Sequence, residues 1–454
     1  MRLFFLISGL IIFAGGCAVK RPQPTAASIC DLKTRSLELP IGADPRGNQS
    51  YNSGFLEKGA AALASGPEAL PEALPEALLD DSLGELLDVA EERAQARLGQ
   101  VDIYKGVDDT GDESVGPLIN RLVLSGGGQY GAFGAGFLHG LQAFREYDVV
   151  TGVSTGALQA PFAFLGKAKR PSDRELAQEN DFPPAASDPN ATFDNLDDLV
   201  FGYSITSEGT LYNSKGPLSA VRRGYLGTLE PLRRRIGHLV TDSTLRELAK
   251  APAHRQLNMA LLNWDTGEAV SVDMLDLARR HAGGDDTAHH CFIRVMVAAS
   301  SEPIGTPPVL IDGSLFVDAG LRFGVFVDDE IKQAKALADG IRGMDAVAGI
   351  EGAKVHTDVI RNGDLGVRTH RPEKYDILKI VGRARTILVD QVYRFSIQSV
   401  LHQADSEHTV RFAVFDPKEV GVKRNESLVF DPQYMAAMIE AGKRRAGKWD
   451  KEVP

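Results

Sequence analysis

Residues Gly152–Gly156 read GVSTG and fit the pattern G-x-S-x-G. A serine hydroxyl gains reach as a nucleophile when a sharp strand-to-helix turn holds it out at a helix N-terminus, and the flanking glycines relieve the clashes of that turn. The five-letter pattern recurs by chance. Here the apolar DVV precedes it and the helix-forming ALQA follows it, which is the setting the turn requires. Upstream, Ser125–Gly136 reads SGGGQYGAFGAG after the apolar LVL. A glycine-rich turn at such a place brings backbone amides close to something negative: a phosphate that stays, or an oxyanion that exists only during a reaction. From Gly128 to Ser154 is 26 residues, room for one helix and one strand. The two turns are therefore expected side by side at the C-terminal ends of adjacent parallel strands.

Other chemistries compete for the same residues. Gly126, Gly128 and Gly131 also satisfy the dinucleotide fingerprint G-x-G-x-x-G, which requires an acidic residue about 20 positions on, at the end of the second strand. Glu146 and Asp148 have that distance but stand at the strand's start, and its end is occupied by GVSTG. A structural alternative is close helix packing, since Gly134 and Gly136 continue a small-residue face. A serine also needs a base. His139, His356, His370 and His402 are placed by no motif, and His139 falls within the helix after the glycine turn. Asp318, in LFVDAG, is more suggestive, because a short apolar strand delivers its carboxylate into a small-residue turn; Asp312, in VLIDG, is the competitor. Either could be a turn residue only. The cysteines are Cys17, Cys30 and Cys291, without a CxxC pair or a His/Cys cluster. No metal site is suggested, and no cofactor is required. Cys30 and Cys291 could pair in an oxidising compartment; two unpaired thiols are the expectation.

The elements that must position these residues are legible in the periodicity. RLVLS and YDVVTGVS read as buried strands, and GAFGAGFLHGLQAF and TGALQAPFAFL as helices. Strand, turn, helix, repeated, gives a parallel α/β sheet. A polar, Pro-rich insertion over about 167–198 is expected to be an exposed loop, with a lid over the site as the sharper alternative. QLNMALLNWDTGEAVSVDM reads as a hairpin turning at Asp265–Gly267. FIRVMVAAS and LFVDAGLRFGVF are helix or strand pieces, YDILKIVG and HTVRFAVF strands. RTILVDQVYRFSIQSVL is a long amphipathic helix, with Leu388, Val392 and Phe395 on one face and Val389, Tyr393 and Ile397 beside it, expected to be core.

The chain of 454 residues is 43% hydrophobic and carries a net charge of −11. That charge argues against nucleic acid and against electrostatic docking on an anionic bilayer; membrane contact must come from apolar surface or a lipid. Residues 1–16 have a basic start and an apolar run too short to span a bilayer, as in a signal peptide. AGGC, ending at Cys17, resembles a bacterial lipoprotein signal, which implies a lipidated Cys17; with Ala18 next, the outer membrane, periplasmic side, is favoured. Residues 17–118 are expected to be an N-terminal tether and helical segment. They include a Pro-, Gly- and Ser-rich stretch to about 66, a spacer at Pro67–Leu78 (PEALPEALPEAL) and a helix after Ser82. Residues 119–454 read as one domain.

GGGQYG, GVSTG and VDAG, in that order, together resemble the patatin-like phospholipase family. NWDTGEAVSV and AASSEPIGTPPVLIDGSLFVDAG are similar to further pieces of that family, as is DVIRNG, Asp358 to Gly363. The resemblance implies an α/β/α sandwich with a mainly parallel sheet and a Ser–Asp dyad without histidine, acting on phospholipid or other acyl-ester lipid. Carried over, Ser154 is the nucleophile, Asp318 the base, and Gly126, Gly127 and Gly128 the oxyanion amides. Calcium is not required by this chemistry. Two positions depart from the family pattern. Tyr130 stands where a basic residue is frequent, and Asp318-Ala319-Gly320 replaces Asp-Gly-Gly or Asp-Gly-Ala. A weakly active lipid-binding lipoprotein on the same fold is the other reading.

Overall fold

Runs such as LINRLVL carry apolar side chains on both faces, which suits strands covered by helices on either side. In the structure, a computed structural model, they build one sheet, nine-stranded among the described residues. It describes residues 21–37, 118–171, 192–216, 219, 222–252, 255–327, 354–363, 377–402, 404, 408–422 and 429–449. The chain divides into a larger unit, 1–36 with 103–454, and a smaller one, 37–102. The smaller unit lies outside the described residues apart from Leu37, as do Cys17, the PEAL repeats and the helix expected after Ser82.

The strands are β1 (Thr34–Ser36), β2 (Leu118–Leu124), β3 (Val149–Gly152), β4 (Gln256–Asn263), β5 (Ala269–Asp273), β6 (Val309–Ile311), β7 (Ser314–Asp318), β8 (Lys354–Arg361) and β9 (His408–Val414). Along the sheet the order is β1-β5-β4-β3-β2-β8-β9. The five strands from β4 to β9 run parallel, while β5, β1 and the β6–β7 hairpin are antiparallel. One detail of register matters for the site. β3 pairs with β4 as far as Gly152–Met259, and β7 takes up the same edge of β4 with Asp318 opposite Leu261. β3 and β7 therefore meet head to head, and the residues leaving their C-terminal ends converge.

The helices are α1 (Gly131–Gly140), α2 (Thr155–Leu165), α3 (Asn195–Tyr203), α4 (Glu230–Leu239), α5 (Asp242–Ala249), α6 (Met274–Ala282), α7 (Asp286–Ala299), α8 (Ile377–Leu401) and α9 (Pro432–Trp449). They cover the sheet to give the α/β/α sandwich. Aspartates at 194, 273 and 285 cap α3, α6 and α7 by accepting from amides of the first turn. The small face of α1 serves helix–helix packing. A Cβ on Gly136 would lie 2.0 Å from the Ile439 carbonyl oxygen, so α9 rests directly on the α1 backbone.

Four expectations change. YDILKIVG is not a strand: from Ile377 it forms the first turns of the 25-residue α8, whose helical period continues unbroken into RTILVDQ. The first stripe of that helix is not core either. Leu388 is 67% and Phe395 62% exposed, whereas Tyr393 and Ile397 are buried. Cys30 and Cys291 form a disulfide. Residues 21–36, expected as tether, are part of the domain: Cys30 is bonded to α7, β1 extends the sheet beside β5, and Arg21 pairs with Asp265 at 2.6 Å. Of the 167–198 insertion, Lys169–Pro171 pairs with Thr192–Asp194 at the foot of α3, and 172–191 lies outside the described residues.

Candidate active site

Ser154 occupies the turn between β3 and α2 with φ 54° and ψ −124°. A non-glycine residue held there costs on the order of 1–3 kcal/mol, and such strain persists only where the surroundings over-determine it. They do so here. The Val153 amide donates to the Leu124 carbonyl at 3.1 Å, fastening the turn to β2. A Cβ on Gly156 would sit 2.2 Å from that same carbonyl oxygen, so the first turn of α2 passes β2 too closely for any side chain. Ser154 precedes the helix but its hydroxyl caps no amide; it faces the Asp318 carboxylate, whose pKa it holds down.

Asp318 ends β7 and is 2% exposed. Its Oδ1 accepts the Gly320 amide at 2.7 Å, and its own amide donates to Ser301 O at 3.0 Å. The Asp-Ala-Gly sequence therefore still locks the carboxylate. Burial pushes the Asp318 pKa up to about 7, helped by the negative charge of Glu302; the Ser154 hydroxyl, the Gly320 amide and the Arg385 charge work in the opposite direction. Glu302 is itself paired with Arg385, whose Nε lies 2.9 Å from Oε1. Asp312, the competing carboxylate, has structural work: it accepts the amides of Cys30, Asp31 and Leu32 at 2.5 to 3.0 Å.

The glycine loop leaves β2 beside this pair. Gly127 has no room for a side chain, since a Cβ would lie 1.8 Å from the Asn362 carbonyl oxygen. The Asn362 side chain donates to Ser125 O at 2.8 Å and to Gln159 Oε1 at 3.1 Å, tying the loop to β8 and α2. The three expected oxyanion amides are not equivalent. Gly126 N–H donates to Gly324 O at 3.2 Å, so it is engaged within the protein. Gly127 and Gly128 line the cavity with Ser154. Among the described residues neither of their amides donates to another backbone group.

Residues 122–330 match the family model described as Patatin-like phospholipase. Over that span the chain is similar to patatin-like phospholipases. No curated protein matches the chain. The family is one of lipid acyl hydrolases, and the matched span holds Ser154, Asp318 and the glycine loop. It stops before β8, α8, β9 and α9, which complete the sheet and the rim of the site.

The cavity beside Ser154, about 710 Å3, has two kinds of lining. Leu158, Phe162, Leu199, Leu232, Ile236 and Met296 line it from α2, α3, α4 and α7, and Arg361, Arg383, Arg385 and Asp390 from β8 and α8. No histidine lines it among the described residues. His139 instead faces Asp197 at 3.1 Å, and His356 joins Asp358 and Arg411 in a buried cluster. His370 lies outside the described residues. Tyr130 is buried, with its ring stacked on Phe415 at 5.4 Å. A cation reaches the loop from outside it: Arg361, on β8, donates to the Gly126 carbonyl at 3.2 Å. Sequence reasoning missed Arg361, Asn362, Gln159, Tyr393 and Glu302 as site residues. DVIRNG was a signal for the first two, yet nothing local shows that β8 ends against the glycine loop.

Proposed function

We propose that the protein is a serine acyl hydrolase, a phospholipase A or lipid esterase, in which Ser154 and Asp318 form the catalytic dyad. The pairing of a strained serine with a buried aspartate on one cavity wall carries this reading. An aspartate at about pKa 7 is a competent base near neutrality, because Brønsted efficiency is best when the catalytic pKa lies close to the working pH. Asp318 takes the hydroxyl proton as Ser154 attacks the ester carbonyl. The amides of Gly127 and Gly128 receive the tetrahedral oxyanion. The alcohol leaves with the proton, and water then releases the acyl group by the same steps in reverse order. The apolar part of the cavity suits an acyl chain. Purified wild-type protein is expected to hydrolyse p-nitrophenyl and phospholipid esters and to be labelled by a fluorophosphonate. Ser154→Ala should do neither; a variant that keeps its turnover would sink the assignment.

Attachment to the outer membrane through lipidated Cys17 is part of the same proposal. The Cys30–Cys291 disulfide supports export, since such bonds persist in oxidising compartments. Cys17→Ser should move the protein from the membrane fraction to the soluble periplasm, and unchanged fractionation would refute the anchor.

A further inference from the structure

The peptide that joins Gly126 to Gly127 has two ends with different surroundings. Its N–H end belongs to Gly127, which lines the cavity beside Ser154. Its carbonyl end, on Gly126, accepts two hydrogen bonds, from Ser125 Oγ at 2.8 Å and from Arg361 Nη1 at 3.2 Å. A cationic donor on a carbonyl oxygen draws electron density toward that oxygen and leaves the N–H of the same peptide a stronger donor. The guanidinium is held for this. Arg361 is 8% exposed, its carbon lies 4.1 Å from the centre of the Tyr393 ring, and Nη1 also reaches Ser125 Oγ and Asn362 O at 3.4 Å. Tyr393 in turn is fixed against the loop, since a Cβ on Gly126 would lie 2.0 Å from its hydroxyl oxygen. The register of β8 on β2 sets the height of this arrangement. Ile360 pairs with Leu124, so Arg361 falls level with the start of the glycine loop.

We infer that Arg361 is a positioning residue of the oxyanion site: its charge polarises the Gly126–Gly127 peptide and strengthens the Gly127 amide toward the developing oxyanion. The inference rests on the hydrolase reading above. It places the loop's cation outside the loop itself, on a strand that the family match does not reach. An interaction of this kind acts on the transition state more than on the bound ester, so it should appear in kcat and not in KM.

The test compares wild type with Arg361→Lys, Arg361→Gln and Arg361→Ala on a soluble p-nitrophenyl ester, with thermal unfolding followed in parallel. Loss of a whole oxyanion donor costs about 100- to 1,000-fold, so loss of its polarisation should cost roughly 10- to 100-fold in kcat, with KM within about threefold. Lysine should retain more of kcat than glutamine. Added guanidinium chloride, at concentrations that leave the unfolding curve unchanged, should restore part of the kcat of Arg361→Ala saturably, where sodium chloride does not. A glutamine variant with wild-type kcat, or with a changed KM alone, overturns the proposal while leaving the hydrolase reading intact. So does a loss that neither lysine nor guanidinium recovers. A wild type that neither turns over nor reacts with fluorophosphonate overturns both.

Discussion

Asp318 is kept where water cannot solvate its charge, and that has consequences for both rate and stability. Its folded-state pKa, about 7, stands above the ordinary carboxylate value of 3.8. Between those values the folded protein binds a proton that the unfolded chain has released, so this residue's contribution to stability falls as pH rises from about 4 to about 7. Asp318→Asn removes the charge and keeps the shape. It should therefore stabilise the fold at pH 8, on the order of 1–2 kcal/mol, and change little at pH 4, while abolishing turnover. Urea unfolding at the two pH values reads this directly, and equal effects at both would contradict the buried-charge account. In the active enzyme only ionised Asp318 accepts a proton, so kcat/KM should decline below about pH 7. Because the negative charge of Glu302 contributes to the elevation, Glu302→Gln should move that decline to lower pH. Ser154 and Asp318 could be picked out in the sequence because each sits in a short motif. Glu302 and Arg361 also fall in stretches that resemble the family, but their roles could not be read there, because they arise from which segments end beside one another in the fold.

Helix α8 shows why periodicity finds an element yet misassigns its faces. Its apolar residues occupy two stripes, and a hydrophobic pattern cannot say which of two apolar faces meets the protein. Tyr393 and Ile397 turn inward, and Arg361 stacks on the Tyr393 ring; Ile387, Leu388 and Phe395 face outward. The outer stripe should therefore be nearly free to change. Leu388→Ser and Phe395→Ser are expected to alter unfolding free energy by no more than about 0.5 kcal/mol. Ile397→Ala, on the inner stripe, should cost about 2–5 kcal/mol. If the outer substitutions destabilise as much as the inner one, that face is covered. The α2 elbow was easier to read, since GVSTG states its own geometry: both glycines and the strained serine are dictated by a helix that starts against the end of β2.

At the scale of the whole molecule, the parallel core was legible because each strand–turn–helix unit is local in sequence. The two features that close the domain join segments far apart, and no local pattern encodes them. β8 inserts beside β2 more than two hundred residues later in the chain, and Cys30 meets Cys291 across a separation of 261 residues. The disulfide clasps a segment that is also held by the three-residue β1, by Arg21 on Asp265, by the amides of Cys30, Asp31 and Leu32 on Asp312, and by Arg280, which donates to Cys30 O at 2.7 Å. Opening a native disulfide typically costs about 2–5 kcal/mol, and long closed loops lie toward the upper part in chain-entropy terms. Cys30→Ser/Cys291→Ser should accordingly lower the urea midpoint, and dithiothreitol should bring the parent protein to the same value. The dyad should survive, because Asp318 is held by β4, Ser301 and Gly320 and not by the clasped segment. Fluorophosphonate labelling of the reduced protein, well below its new midpoint, is expected at close to the oxidised rate. A labelling rate that collapses on reduction would mean that Asp312 and its three amide donors, six residues before Asp318, set the position of the base as well as that of the N-terminal segment.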